Sequence, residues 1–125
     1  MEIQVYFKTS KFEDKEVAND QTGYAILLAE WFCSALPSEF KADFIDEDWG
    51  CSIVLTNEYY NKLELICGHV DNTEYSICIN TKKGFFDNLL SRDPFIDEAN
   101  QLKGVVQDIL DASNELTDVQ WVENG

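Results

Sequence analysis

Between Phe40 and Asn80 the chain alternates apolar and polar residues in four successive runs, and the connections between the runs are short. Phe40, Ala42 and Phe44 alternate with Lys41 and Asp43. After Asp48-Trp49-Gly50, a turn-like step, Cys51 to Thr56 places Ile53 and Leu55 on one side and Val54 on the other. Asn57 and Glu58 connect to Tyr59–Cys67, where Asn61, Leu63 and Leu65 oppose Lys62 and Glu64. Gly68 to Asn72 reads as a turn, and Tyr75, Ile77 and Ile79 then alternate with Ser76, Cys78 and Asn80. A period of two is that of a strand with one buried face. Connections this short favour an antiparallel meander over parallel crossovers.

The flanks supply the rest of the fold. Ile3, Val5 and Phe7 alternate with Gln4, Tyr6 and Lys8 and predict a first strand. Ser10 to Thr22 is polar and acidic, a surface loop. Tyr24, Leu27, Leu28, Trp31, Ala35 and Leu36 recur at helical spacing, with Asp20 or Thr22 as the cap and Pro37 as the stop. Gly84 opens a short piece holding Phe85, Phe86, Leu89 and Leu90. Asp93-Pro94 is a helix start, because aspartate caps free amides and proline lacks only an N–H that had no partner there. Ala99, Leu102, Val106 and Ile109 trace one face of that helix. Val119 to Val122 fits a last strand. Helices and strands are segregated, so the predicted class is α+β. It is one domain over residues 1–125, an antiparallel sheet with two main helices on one face. The opposite face is expected to be partly wet, with Asp43, Lys62, Glu64, Ser76 and Asn80 on it.

On this body sit 24 acidic residues against 9 basic ones, a net charge of −15, while 45% of the chain is hydrophobic and 13% aromatic. Disordered acidic chains lack such apolar content, so this one folds and keeps a strongly negative surface. Phosphate backbones and anionic lipids repel that charge, which argues against direct nucleic-acid or membrane contact. No apolar run approaches the ~18 residues of a membrane span. Met1 to Ser10 is strand-like rather than a secretory leader, which predicts a cytoplasmic protein. Cys33, Cys51, Cys67 and Cys78 make no C-x-x-C pair and lie in apolar segments, which predicts buried reduced thiols, with a disulfide left open should two strands place a pair side by side.

Few constellations suggest chemistry. Asp43-Phe44-Ile45-Asp46-Glu47-Asp48-Trp49 is the densest acidic segment. It admits four readings: a cation site, the acid/base pair of a hydrolase, a solvated acidic turn, or a contact patch for a basic partner with Trp49 as anchor. It lacks the spaced acidic ligands of a calcium loop. His69, the lone histidine, is expected in a turn, and Cys67 beside it belongs to the apolar face, which disfavours a Cys–His pair. Tyr59 and Tyr60, adjacent in a strand, must face opposite ways. The loop with Glu13, Asp14, Glu16 and Asp20 is a second acidic concentration. No glycine-rich phosphate loop is present.

Gly23-Tyr24 with Leu28-Ala29-Glu30-Trp31, then Glu47-Asp48-Trp49-Gly50 and Ile66-Cys67-Gly68, make an arrangement over about the first two thirds of the chain. In it the chain resembles small acidic immunity proteins of contact-dependent growth inhibition and other polymorphic toxin systems. The resemblance implies a non-enzymatic protein that binds and neutralises a cognate toxin domain, often a nuclease with a basic substrate cleft. It transfers no residue roles.

The expectation is therefore a cytoplasmic bacterial protein, not an enzyme and without cofactor or metal, whose partner is a basic protein. The expected contact residues are Asp43, Asp46, Glu47, Asp48, Trp49, Asp71 and Glu74. Two other classes stay open: a nucleic-acid mimic that occupies the groove of a DNA- or RNA-binding protein, and a small metal-dependent hydrolase built on Asp46–Asp48.

Overall fold

The computed structural model describes residues 2–12, 23–47, 50–55, 63–71, 73–81 and 96–124, with backbone only at Glu2, Asp46, Glu47, Thr81 and Asn124. Its elements are β1 (Glu2–Lys8), α1 (Gly23–Ala35), β2 (Ala42–Glu47), β3 (Gly50–Leu55), β4 (Leu63–Asp71), β5 (Glu74–Thr81), α2 (Ile96–Ala112) and β6 (Thr117–Asn124). The strands form one sheet in the order β2-β3-β4-β5-β1-β6, and every pairing is antiparallel. The fold is α+β. The meander is present as β2 to β5, and β1 enters between β5 and β6.

Register fixes the two faces, because directly paired residues share a side. Val5 pairs with Ile77 and Trp121, Ile77 with Cys67, and Cys67 with Cys51. Ile3, Phe7, Ile53, Leu65 and Ile79 lie on the same face, and all are buried. Both helices cover this face. From α1, the Tyr24 ring lies 5.1 Å from that of His69, which pairs with Tyr75. From α2, Gln107 accepts a hydrogen bond from the Trp121 indole N–H, and Lys103 pairs with Glu123 at 3.0 Å. The sheet and both helices close over one hydrophobic cluster.

The face that α1 buries differs from the periodic one. Gly23, Ala25, Leu28, Ala29 and Phe32 are innermost; Tyr24, Leu27, Trp31 and Leu36 are half-buried flanks, and Ala35 is exposed. The helix is apolar almost all round, so spacing alone cannot choose its inward face. The small residues Ala25 and Ala29 do, by bringing the helix close to the sheet. In α2 the apolar stripe is unambiguous: Ala99, Leu102, Val106 and Ile109 are all buried, together with Leu110. Asp97 and Glu98 sit in its first turn, where the helix dipole favours negative charge.

Two local expectations are corrected. Gly68 to Asp71 is not a turn but the end of β4, and the chain reverses between Asp71 and Glu74, which pair with each other. The alternation through Cys67 simply continues to His69. His69 accordingly lies in a strand, its ring between those of Tyr24 and Tyr75. The hairpin is tied to β1 where Thr9 N–H donates to the Thr73 carbonyl at 2.9 Å. The last strand is longer than Val119–Val122, running over Thr117–Asn124.

Gly50 opens β3 for a steric reason. A Cβ there would lie 2.5 Å from the Cys67 carbonyl oxygen, so β3 and β4 can approach this closely only with glycine. The readings of Asp20 and Thr22 as caps, of Tyr59, Tyr60 and Lys62, of the acidic loop at 13–20, of Phe85 to Leu90 and of Asp93-Pro94 lie outside the described residues.

Candidate functional site

Two hairpin turns lie at one end of the sheet. Glu47 pairs with Gly50 across the β2–β3 connection, and Cys51 pairs with Cys67, so β4 runs on for three residues beyond the level of Gly50, to Asp71. With ~4.8 Å between strands and ~3.4 Å per residue, the two turns lie on the order of 15 Å apart. The fold therefore brings the Asp46–Glu47 and Asp71–Glu74 ends of the expected contact segments to one end of the sheet, whereas Asp43, paired with Val54, lies toward the opposite end of β2.

Placement of the expected contact residues is uneven. Asp43 is exposed on β2, the edge strand. Asp46 and Glu47 take the last two positions of β2, opposite Cys51 and Gly50. Asp71 is exposed at the β4–β5 hairpin. Glu74 is half-buried and pairs with Lys8 as well as Asp71, so it belongs to the neighbouring strands more than to β2. Asp48 and Trp49 lie outside the described residues.

Exposed apolar residues accompany these acids. Phe44 is 39% exposed, Ile45 51% and Val70 49%. The alternation places Phe44 on the buried side with Phe40 and Ala42. It does face the helices, opposite Ile53, but at the sheet edge beyond full cover by α1. The sequence held a partial signal: Phe44 and Ile45 are adjacent in a strand, so one of them had to point away from the core. Nothing in the sequence marked β2 as an edge.

Charge is distributed unequally. Three ion pairs are found among the described residues: Lys8 with Asp118 at 3.7 Å, Lys11 with Glu115 at 3.3 Å, and Lys103 with Glu123 at 3.0 Å. All three join β1, α2, β6 and their connections. No ion pair among the described residues reaches Asp43 or Asp71. Carboxylates are not confined to this end, since Asp97, Asp108 and Asp111 are exposed along α2. Asp97 and Asp108 of α2 likewise meet no cation among the described residues, and β6 exposes Val119 and Val122, but beside the paired Asp118 and Glu123; what sets the β2 side apart is the combination of acids without an ion pair among the described residues and exposed apolar neighbours.

The sheet's second face carries Asp43, Val54, Glu64 and Asn80 in one cross-strand row and Ile45, Ser52, Ile66, Cys78, Gln4 and Val122 in the next. Asn80 donates to the Glu64 carboxylate at 3.1 Å, and Tyr6 donates to Gln4 at 2.6 Å. Ser52 and Cys78 are nearly buried, so this face is drier than the alternation suggested. A shallow groove of about 570 Å³ opens over Tyr6, Lys8, Glu74, Asp118, Gln120 and Val122. It holds the Lys8–Asp118 ion pair, and no serine, threonine, cysteine or histidine lines it among the described residues.

The thiols are placed for packing. Cys51, Cys67 and Cys78 are buried, Cys33 is half-buried, and none of the four forms a disulfide. Burial pushes the Cys67 thiol well above its ordinary value, and the neighbouring Cys51 and Cys33 push it in the same direction. Burial also raises Cys33, with the negative charge of Asp43 adding to it. These shifts are the reverse of those that activate a cysteine. No group of three or more histidine, cysteine or carboxylate side chains among the described residues is arranged to hold a metal ion. No helix among them is long and apolar enough to cross a membrane.

Searches against family models, curated proteins and solved structures find no match to this chain.

Proposed function

We propose that this chain is a non-enzymatic binding protein that captures a basic protein through the β2 side of its sheet, and that the partner is a toxin domain which it neutralises in the bacterial cytoplasm. The observation that carries the reading is the pairing asymmetry. Lys8, Lys11 and Lys103 hold carboxylates of β6 and of the α2–β6 connection, whereas no ion pair among the described residues reaches Asp43, next to exposed Phe44 and Ile45, or Asp71, next to exposed Val70. Asp46, Glu47, Asp48 and Trp49 continue the same segment in sequence.

This combination suits fast and durable binding. Unpaired acids steer a cationic partner, and complementary fields raise association rates toward 10⁸–10⁹ M⁻¹s⁻¹ at low salt, roughly a hundredfold or more above uncharged pairs. Carboxylates can then take the arginines and lysines that would otherwise hold substrate phosphate. Apolar side chains buried on contact slow dissociation. The spread of about 15 Å between the turns fits a protein–protein patch better than a two-carboxylate catalytic site, whose members stand roughly 5–10 Å apart.

The test is affinity capture from the native host at low salt, identification of the bound protein, and its expression with and without this chain. A basic protein whose toxicity this chain relieves supports the reading. A specific partner with an acidic contact surface contradicts it.

A further inference from the structure

The two edges of the sheet are finished differently. Edge strand β6 is irregular: its register against β1 shifts between Tyr6 and Lys8, and Asp118 there has φ 54°, a left-handed conformation. Lys8 and Lys103 bind the carboxylates of Asp118 and Glu123, and Gln107 holds the Trp121 indole. Bulges and clamped charges of this kind keep an edge from accepting another strand. Edge strand β2 shows no such device among the described residues. It keeps six consecutive register pairs with β3, without a bulge, and it exposes Phe44 on one face and Ile45 on the other. Its sequence, Ala-Asp-Phe-Ile-Asp-Glu, contains neither lysine nor proline.

We propose that the outer edge of β2 accepts an extended segment of the partner as an added antiparallel strand. The inference rests on the reading above that the partner is basic, and it names how that partner is held. Strand addition takes affinity from main-chain hydrogen bonds and specificity from the side chains placed opposite. Charge decides the occupant. A second copy of β2 would set carboxylates against carboxylates, and like charges across a strand pair repel. A lysine or arginine opposite Asp43 pairs instead, and an apolar residue opposite Ile45 or Phe44 covers it. At the register positions of Asp46 and Glu47 basic residues again fit. The occupant thus reads, from its own N-terminus, basic, basic, apolar, apolar, basic.

The probe is the peptide acetyl-Thr-Lys-Lys-Val-Val-Lys-Thr-amide, compared with a version carrying glutamate for lysine and with one N-methylated at both valines. Binding is followed by NMR titration, and amide hydrogen exchange is read along Ala42–Glu47. Near saturation, alternate amides of β2 should exchange at least about tenfold more slowly, because their outward N–H groups become bonded. The glutamate and N-methylated peptides should bind at least about tenfold more weakly, having lost the charge match or the ladder. Ile45→Lys, at an exposed site, should leave the fold intact and weaken the lysine peptide about tenfold.

Binding of the lysine peptide with β2 exchange unchanged would overturn strand addition while leaving the acidic-surface reading in place. A lysine peptide that binds no better than the glutamate one would overturn both. Concentration-dependent protection of β2 without peptide would show the occupant to be a second copy of the chain, and would overturn the charge argument.

Discussion

Gly50→Ala and Gly104→Ala are the same chemical change with opposite expected signs. At Gly50 the new methyl would meet the Cys67 carbonyl oxygen at 2.5 Å, where even a tight contact needs 3.0–3.4 Å. The shortfall is about 0.5–0.9 Å, and the obstructing atom is backbone inside the β3–β4 ladder, which cannot rotate away. Overpacking of this kind costs ~1–3 kcal/mol. Replacing glycine recovers ~0.5–1 kcal/mol of unfolded-state entropy. Because the obstruction is backbone, the cost belongs in the upper half of that range, ~2–3 kcal/mol, and with ~1 kcal/mol recovered the net expectation is a loss of about 1–2 kcal/mol. At Gly104, exposed in α2, a Cβ meets nothing within 4 Å, so only the gain remains, ~0.5–1 kcal/mol. With a urea m-value of ~1.5 kcal/mol/M, the midpoint should fall by roughly 0.7–1.3 M for Gly50→Ala and rise by roughly 0.3–0.7 M for Gly104→Ala. Both curves should keep the wild-type slope. A neutral or stabilised Gly50→Ala would show that β3 and β4 do not approach as closely as described, and the register that aligns the two hairpin ends would fall with it.

Phe32→Ala, which empties a fully buried site beneath the sheet, should cost ~3–5 kcal/mol in the same assay. Gln107→Ala leaves the half-buried Trp121 N–H without its acceptor and should cost ~0.5–1.5 kcal/mol by urea unfolding. Thiol reagent should modify Cys33 before the buried Cys51, Cys67 and Cys78, and all four react together only in denaturant. The pH dependence follows from the raised thiols. The folded state holds the Cys67 proton more tightly than the unfolded chain, so this contribution is complete below the ordinary value near 9.0 and is lost as pH rises above it. Stability should therefore fall on the alkaline side, and Cys67→Ala should flatten that fall in urea titrations at pH values on either side of it.

Much of the fold was legible because local periodicity and tertiary burial agree. Ile53, Leu55, Leu63, Leu65, Ile77 and Ile79 are buried as their alternation requires, and the α2 stripe stands where its spacing placed it. What escaped lies in long-range partnership. No local pattern says that β1 sits between β5 and β6, or that β2 is an edge, because those facts depend on strands dozens of residues apart. The inward face of α1 escaped because Tyr24, Leu27 and Trp31 are as apolar as the residues that win, and small-residue packing decided between them. At the candidate site the acids at Asp43, Asp46, Glu47, Asp71 and Glu74 could be read from sequence. The exposure of Phe44, Ile45 and Val70 beside them could not, since an apolar residue in a strand looks the same at an edge as at the centre.

The most direct measurement is the association rate of the purified partner with the wild-type chain and with the triple variant Asp46→Lys, Glu47→Lys, Asp48→Lys, by stopped flow across a salt series. The account predicts a rate at least about tenfold slower for the variant at low salt, with the two converging as screening shortens the Debye length to ~3 Å near 1 M. An unchanged on-rate and an unchanged salt slope would contradict it, and the acids of β2 would then have no part in drawing the partner in.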